Sequence, residues 1–116
     1  MQTKTDGWTI EEYVTARGEN LVLTFLSAQS GRVRAEAIAL LKLLKERRNL
    51  LGMPHSKSLG QGLFELRGTQ VRIFYMFRPG RRITLLDGML KKRDRIPKRT
   101  LERLKRFQKE VSAFRQ

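Results

Sequence analysis

The stretch Gly62–Arg95, GLFELRGTQVRIFYMFRPGRRITLLDGMLKKRDR, decides the fold. Three runs rich in β-branched and aromatic residues, Leu63–Arg67, Val71–Phe77 and Arg82–Met89, are separated by Gly68-Thr69 and Pro79-Gly80. Such dipeptides join neighbouring strands through tight turns, so the stretch predicts a β-meander. Gly68-Thr69 suits a two-residue type II′ hairpin, pairing Arg67 with Gln70, Leu66 with Val71, Glu65 with Arg72 and Phe64 with Ile73. Alternation then places Glu65, Arg67, Gln70, Arg72, Phe74 and Met76 on one face. Phe64, Leu66, Val71, Ile73, Tyr75 and Phe77 lie on the other and pack on helices. A one-residue slip would drive Glu65 and Arg67 into the core, which constrains the parity of the register. At the second turn, a two- or four-residue loop sets Asp87 beside Arg72, whereas a three-residue loop would turn Asp87 onto the apolar face. The first arrangement gathers Glu65, Arg67, Arg72 and Asp87 into one charged cluster at the sheet centre.

Outward from the meander, Trp8–Val14 alternates weakly and predicts a first strand. Asn20 is a helix cap before the apolar run Leu21–Ala28, and Ser30-Gly31 interrupts. Arg32–Leu51 has Val33, Ala37, Leu40, Leu41, Leu44 and Leu51 on one side at helical spacing, and Gly52 and Pro54 stop it. Met53–Gly62 is a polar loop. A last helix from Pro97 to Phe114 carries the apolar stripe Leu101, Leu104, Phe107, Val111 and Phe114. The predicted order is β-α-α-β-β-β-α: one α+β domain over residues 1–116, with helices on one side of a mostly antiparallel sheet.

Among the 116 residues, 25 are Lys or Arg and 11 are Asp or Glu, for a net charge of +14. The charge is uneven, because residues 91–116 hold eleven bases against three acids. Clustering of this kind is the electrostatic footprint of a protein that meets phosphate backbone or an acidic partner. Cysteine is absent, which excludes disulfides, thiolate metal sites and cysteine nucleophiles, and is compatible with a cytoplasmic location. No run is apolar enough for a membrane span, and the first residues lack a signal-peptide core. Glycine-rich nucleotide-cradling motifs are missing, and one histidine, His55, cannot anchor a histidine-rich metal site.

The chemistry left is metal-free and needs no cofactor. Transphosphorylation of RNA fits, since the substrate supplies its own 2′-hydroxyl. The protein then provides only proton transfer and cations at the developing pentavalent phosphate. Arg72, mid-strand on the charged face, is placed to hold a phosphate by a bidentate fork. Arg67 stands nearer the hairpin end. Glu65 and Asp87 are candidate acids or ion-pair partners, and His55 carries an imidazole, a side chain suited to proton transfer. Lys91 and Lys92 follow the last strand, and alternation lets only one of them face the cluster. Arg93, Arg95, Lys98, Arg103, Lys105, Arg106 and Lys109 form a basic surface for RNA.

FELR at Phe64–Arg67, the Arg72-Ile73-Phe74 strand, ITLLDGMLKK at Ile83–Lys92 and Pro97 ahead of a basic helix together resemble the HigB/RelE-type toxins, nearest the phage-derived HigB-like branch of the RelE/ParE superfamily. The resemblance covers nearly the whole chain. It implies the toxin of a type II toxin–antitoxin module: a messenger RNA endoribonuclease, commonly ribosome-dependent, inhibited by a cognate helix-turn-helix antitoxin that alone contacts operator DNA. It implies strand arginines at Arg67 and Arg72 and a post-strand basic motif at Lys91, Lys92 and Arg93. The chain departs at Asp87, where relatives often carry histidine, and at Glu65, where some carry lysine. A ParE-like inhibitor of DNA gyrase, or an inactive nucleic-acid-binding relative, shares the same fold.

Overall fold

The computed structural model describes residues 2–5 and 7–113, with side chains from residue 7 onward. Its strands are β1 (Gln2–Thr5), β2 (Trp8–Glu12), β3 (Ser56–Gly60), β4 (Leu63–Arg67), β5 (Val71–Arg78) and β6 (Arg82–Leu90). Its α-helices are α1 (Leu21–Ala28), α2 (Gly31–Arg47) and α3 (Lys98–Ala113). The strands form one sheet in the order β1-β2-β6-β5-β4-β3. Only β2 and β6 run parallel; every other neighbouring pair is antiparallel. No helix of the described residues is long and apolar enough to cross a membrane.

The helices begin and end for local reasons. The Asn20 side chain accepts a hydrogen bond from Leu23 N at 3.0 Å, capping α1. Past Arg47, the backbone of Arg48 turns to φ 54°, and a short 3₁₀ turn to Leu50 replaces the helix expected to reach Leu51. Two strands were absent from the sequence reading. β1 (QTKT) and β3 (SKSLG) occupy the two edges of the sheet, and their polar composition is what an edge tolerates.

The core has two layers rather than the single helical face expected. On one side, Leu66, Val71, Ile73, Tyr75, Ile83 and Leu85 pack with Val22 of α1 and Ala37, Leu40 and Leu44 of α2. Across the sheet, Leu63, Phe74, Met76 and Leu86 pack with Leu104, Phe107 and Val111 of α3. β5 is therefore buried on both faces from Val71 to Met76. Phe74 and Met76 alternate with the charges of their face, and that apolar half is what α3 covers. Phe114, expected in the stripe of α3, lies outside the described residues.

Register also differs from expectation while the faces do not. β4 and β5 pair Arg67 with Arg72, Leu66 with Ile73, Glu65 with Phe74 and Phe64 with Tyr75. The connection is thus Gly68–Gln70 closing on Val71, with Gly68 N bonded to Val71 O at 3.0 Å. A shift of two partner positions preserves which side chains share a face. At the second turn, Arg78 pairs with Arg82 across a three-residue loop in which Gly80 (φ 85°) and Arg81 (φ 57°) take the left-handed conformation. This loop length is the one expected to turn Asp87 onto the apolar face. A bulge at Leu86 restores the parity, since Phe74 opposes Asp87 while Tyr75 opposes Leu85. Asp87 therefore stays off the α1/α2 face. Gly88 stands on that face, where a Cβ would meet Phe25 Cδ2 of α1 at 2.5 Å.

Candidate functional site

The strand charges expected in one cluster are divided between two buried arrangements. Glu65 is 1% exposed and Arg72 2%. One Arg72 Nη donates to the Glu65 carboxylate. The other donates to the carbonyl oxygens of Arg93 and of Asp94, the latter at 2.8 Å. The fork expected to hold a phosphate is occupied by protein oxygens, and it ties β4 to the segment that follows β6. Asp87 is held elsewhere. Its Oδ1 accepts from Gly88 N at 2.7 Å and its Oδ2 from Arg103 Nη2 of α3 at 2.9 Å. Burial pushes the Asp87 carboxyl above the usual range, against the pull of the Gly88 N–H and of Arg103. α3 lies over this face, and Tyr13, immediately after β2, anchors it by donating its hydroxyl to Glu110.

Three other sequence candidates come together in the open. His55, Arg67 and Lys91 line one cleft of about 550 Å³ between α2 and the β4–β5 turn. They come from the turn before β3, the end of β4 and the residue after β6, and backbone bonds hold them in place. Arg67 N donates to His55 O at 2.8 Å, and Lys91 N donates to Gln70 O at 2.7 Å. Arg67 Nε lies 3.7 Å from Glu65 Oε1, and its Nη1 lies 3.8 Å from Met53 Sδ. The cleft therefore receives two permanent cations and an imidazole.

One residue of this cleft carried no sequence signal. Glu36 of α2 accepts from Thr69 N (2.9 Å), Thr69 Oγ1 (2.6 Å), Gln70 N (2.8 Å) and Val71 N (3.0 Å). Burial raises its carboxyl, yet these bonds from Thr69, Gln70 and Val71 outweigh it and leave the group below the ordinary glutamate value. The contact explains the turn. A Cβ at Gly68 would stand 2.5 Å from Glu36 Oε1, so the glycine admits the carboxylate. A separation of more than thirty positions hides such a bond from local sequence reading.

The remaining cations spread over a second surface. Lys91 faces the cleft, whereas Lys92, Arg93 and Arg95 border a separate hollow of about 310 Å³ beside Met89 and Pro97. Lys92, Arg93 and Arg95 are exposed, as are Lys98, Lys105, Arg106 and Lys109 on the outer side of α3. Arg103 differs because Asp87 engages its guanidinium. Among the described residues, no three His, Asp or Glu side chains gather closely enough to hold a metal ion.

A six-stranded, mostly antiparallel sheet with two N-terminal helices on one face and a basic third helix on the other is an α+β arrangement compatible with the RelE-like fold. Residues 24–109 match the family described as phage-derived protein Gp49-like (DUF891), and the chain belongs to that family, one of RelE/toxin-like proteins. A comparison with curated proteins finds no match.

Proposed function

We propose that this chain is the toxin of a type II toxin–antitoxin module, of the HigB-like kind, and that it cleaves messenger RNA without a metal. One observation carries the reading: His55, Arg67 and Lys91, from three separate segments of the chain, line a single open cleft. In that cleft the 2′-oxygen of the substrate attacks the adjacent phosphorus, and His55 accepts its proton. The bond from phosphorus to the 5′-oxygen breaks, and that oxygen leaves with a proton delivered from water or from Lys91. Arg67 and Lys91 stabilise the charge on the pentavalent phosphate. Arg72 and Glu65 support this chemistry from below by fixing the segment that carries Arg93 and Asp94. Lys92, Arg93, Arg95 and the exposed bases of α3 supply phosphate contacts to messenger or ribosomal RNA, which position without specifying. Membership of a RelE/toxin-like family supports a cognate antitoxin as partner and a cytoplasmic target.

A second reading draws on a different observation. Glu65 and Arg72 are buried on the sheet face that α3 packs against, and Asp87 is bound to that helix. This favours a toxin that acts by binding, as a ParE-like gyrase inhibitor does.

Induction of the chain in a bacterium, with new 5′ ends of messenger RNA mapped, separates the two. The nuclease predicts discrete new ends that fall by about a hundredfold or more in His55→Ala or Lys91→Ala, the usual scale for removing one transition-state group. Growth arrest with unchanged messenger ends refutes cleavage, and inhibition of supercoiling by purified gyrase would then establish the second reading.

A further inference from the structure

The cleft has an apolar wall that phosphate chemistry does not require. Ala39 and Leu43 stand on α2 at three and seven positions from Glu36, on the helix face turned to the cleft, and Pro54 closes the opposite side. Ala39 and Pro54 are exposed and Leu43 is half-buried, so this wall is open to a ligand.

The charged wall is left with unmet demand. Glu36 offers about four lone-pair sites, and its four hydrogen bonds fill them. It is neither a free base nor an available partner for Arg67. The Arg67 guanidinium has five N–H donors. Its Nε is covered yet has no hydrogen-bond partner, since Glu65 stands at 3.7 Å, and its Nη1 reaches only the weak acceptor Met53 Sδ. The rest of the guanidinium is partly exposed on the cleft, so its remaining N–H donors are open to an oxyanion.

We infer that the cleft is a single-nucleotide subsite. The phosphate sits on Arg67 and Lys91, and the nucleobase lies against Ala39, Leu43 and Pro54. A volume of about 550 Å³ falls within the range of small-molecule sites, roughly 300–1,000 Å³. An inorganic phosphate would leave the apolar wall in water, whereas a nucleotide covers both walls at once. The chain would thereby discriminate bases beside the scissile phosphate through α2, an element outside the sheet. The inference rests on the cleft facing phosphate, as proposed above, but binding can be measured without cleavage.

The test titrates the ¹⁵N-labelled full chain with each of the four ribonucleoside 3′-monophosphates and, separately, with inorganic phosphate. At least one nucleotide should bind about tenfold tighter than phosphate or more, moving the amides of Ala39, Leu43, His55 and Thr69. Ala39→Phe, a change at an exposed helix position, should erase the preference for nucleotide over phosphate. Arg67→Ala should weaken both ligands, with the fold of each variant verified from its spectrum. Equal affinity for phosphate and all four nucleotides, shifts confined to Lys92–Arg95, or a preference unaffected by Ala39→Phe would each overturn the inference. Nucleotide selectivity without cleavage of messenger RNA would sink the nuclease reading and leave this subsite standing. Cleavage without selectivity would do the reverse.

Discussion

Replacing Arg72 with methionine keeps most of the buried stem and removes the charge. Glu65, 1% exposed, then loses the guanidinium that satisfies it, and the carbonyls of Arg93 and Asp94 lose their donor. Stranding one member of a buried pair costs about 3–5 kcal/mol, because the remaining ion cannot recover its hydration. Arg67, 3.7 Å from the other Glu65 oxygen, offsets part of this, so the lower end of that range is expected. Against a total stability of about 5–15 kcal/mol for a domain, the loss is large. With a urea slope of about 2 kcal/mol per M, the unfolding midpoint should fall by about 1.5 M. Adding Glu65→Gln removes the stranded charge, so the double variant should recover a substantial part of that loss. Urea titrations followed by circular dichroism measure both. If Arg72→Met unfolds within about 0.5 M of the parent, or if the double variant is no more stable than the single one, the pair is not the strut described. Toxicity lost in Arg72 variants would, on this account, report a loosened fold before it reported a missing phosphate contact.

Gly88→Ala should lower the thermal midpoint, since its methyl would meet Phe25 Cδ2 at 2.5 Å and α1 must yield, at about 1–3 kcal/mol. The folded pKa of Glu36 lies below its unfolded value, near 4.3 for a free glutamate. Its stabilisation is therefore complete above that unfolded value and is lost as pH falls through the folded one. Glu36→Gln should flatten the acid limb of a stability–pH profile, and an unchanged limb would remove the turn from its list of causes. Reversing Lys98, Lys105 and Lys109 to glutamate should weaken RNA binding and reduce the salt slope of log K by up to about 2, at about 0.7 per lost single-strand phosphate contact. An unchanged slope in filter-binding assays would place the RNA elsewhere.

Much of the fold was legible in the chain itself. The alternation of Phe64, Leu66, Val71, Ile73, Tyr75 and Phe77 determined the face that meets α1 and α2, and Asn20 determined where α1 begins. These are local signals, carried by strand parity and by one capping bond, and no distant residue needs to be known to read them. β1 and β3 escaped notice because edge strands have no hydrophobic alternation to display. The turn lengths escaped for another reason. Glu36 reaches across from α2 to select the β4–β5 turn, and a bulge at Leu86 cancels the parity change of the Pro79–Arg81 loop.

The site divides in the same way. Residue type and position alone marked His55, Glu65, Arg67, Arg72, Asp87, Lys91 and Lys92 as candidates, because such side chains suit metal-free phosphate chemistry. Which of them stands open to solvent was decided by tertiary structure. Phe74, Met76 and Leu86 draw α3 over their face, and on the same face Glu65 and Arg72 are buried, with Arg72 bonded to the Arg93–Asp94 segment that leads into α3. Once removed from water, those two charges must satisfy each other. His55, Arg67 and Lys91 line the cleft beside α2, where a charge can keep its solvent.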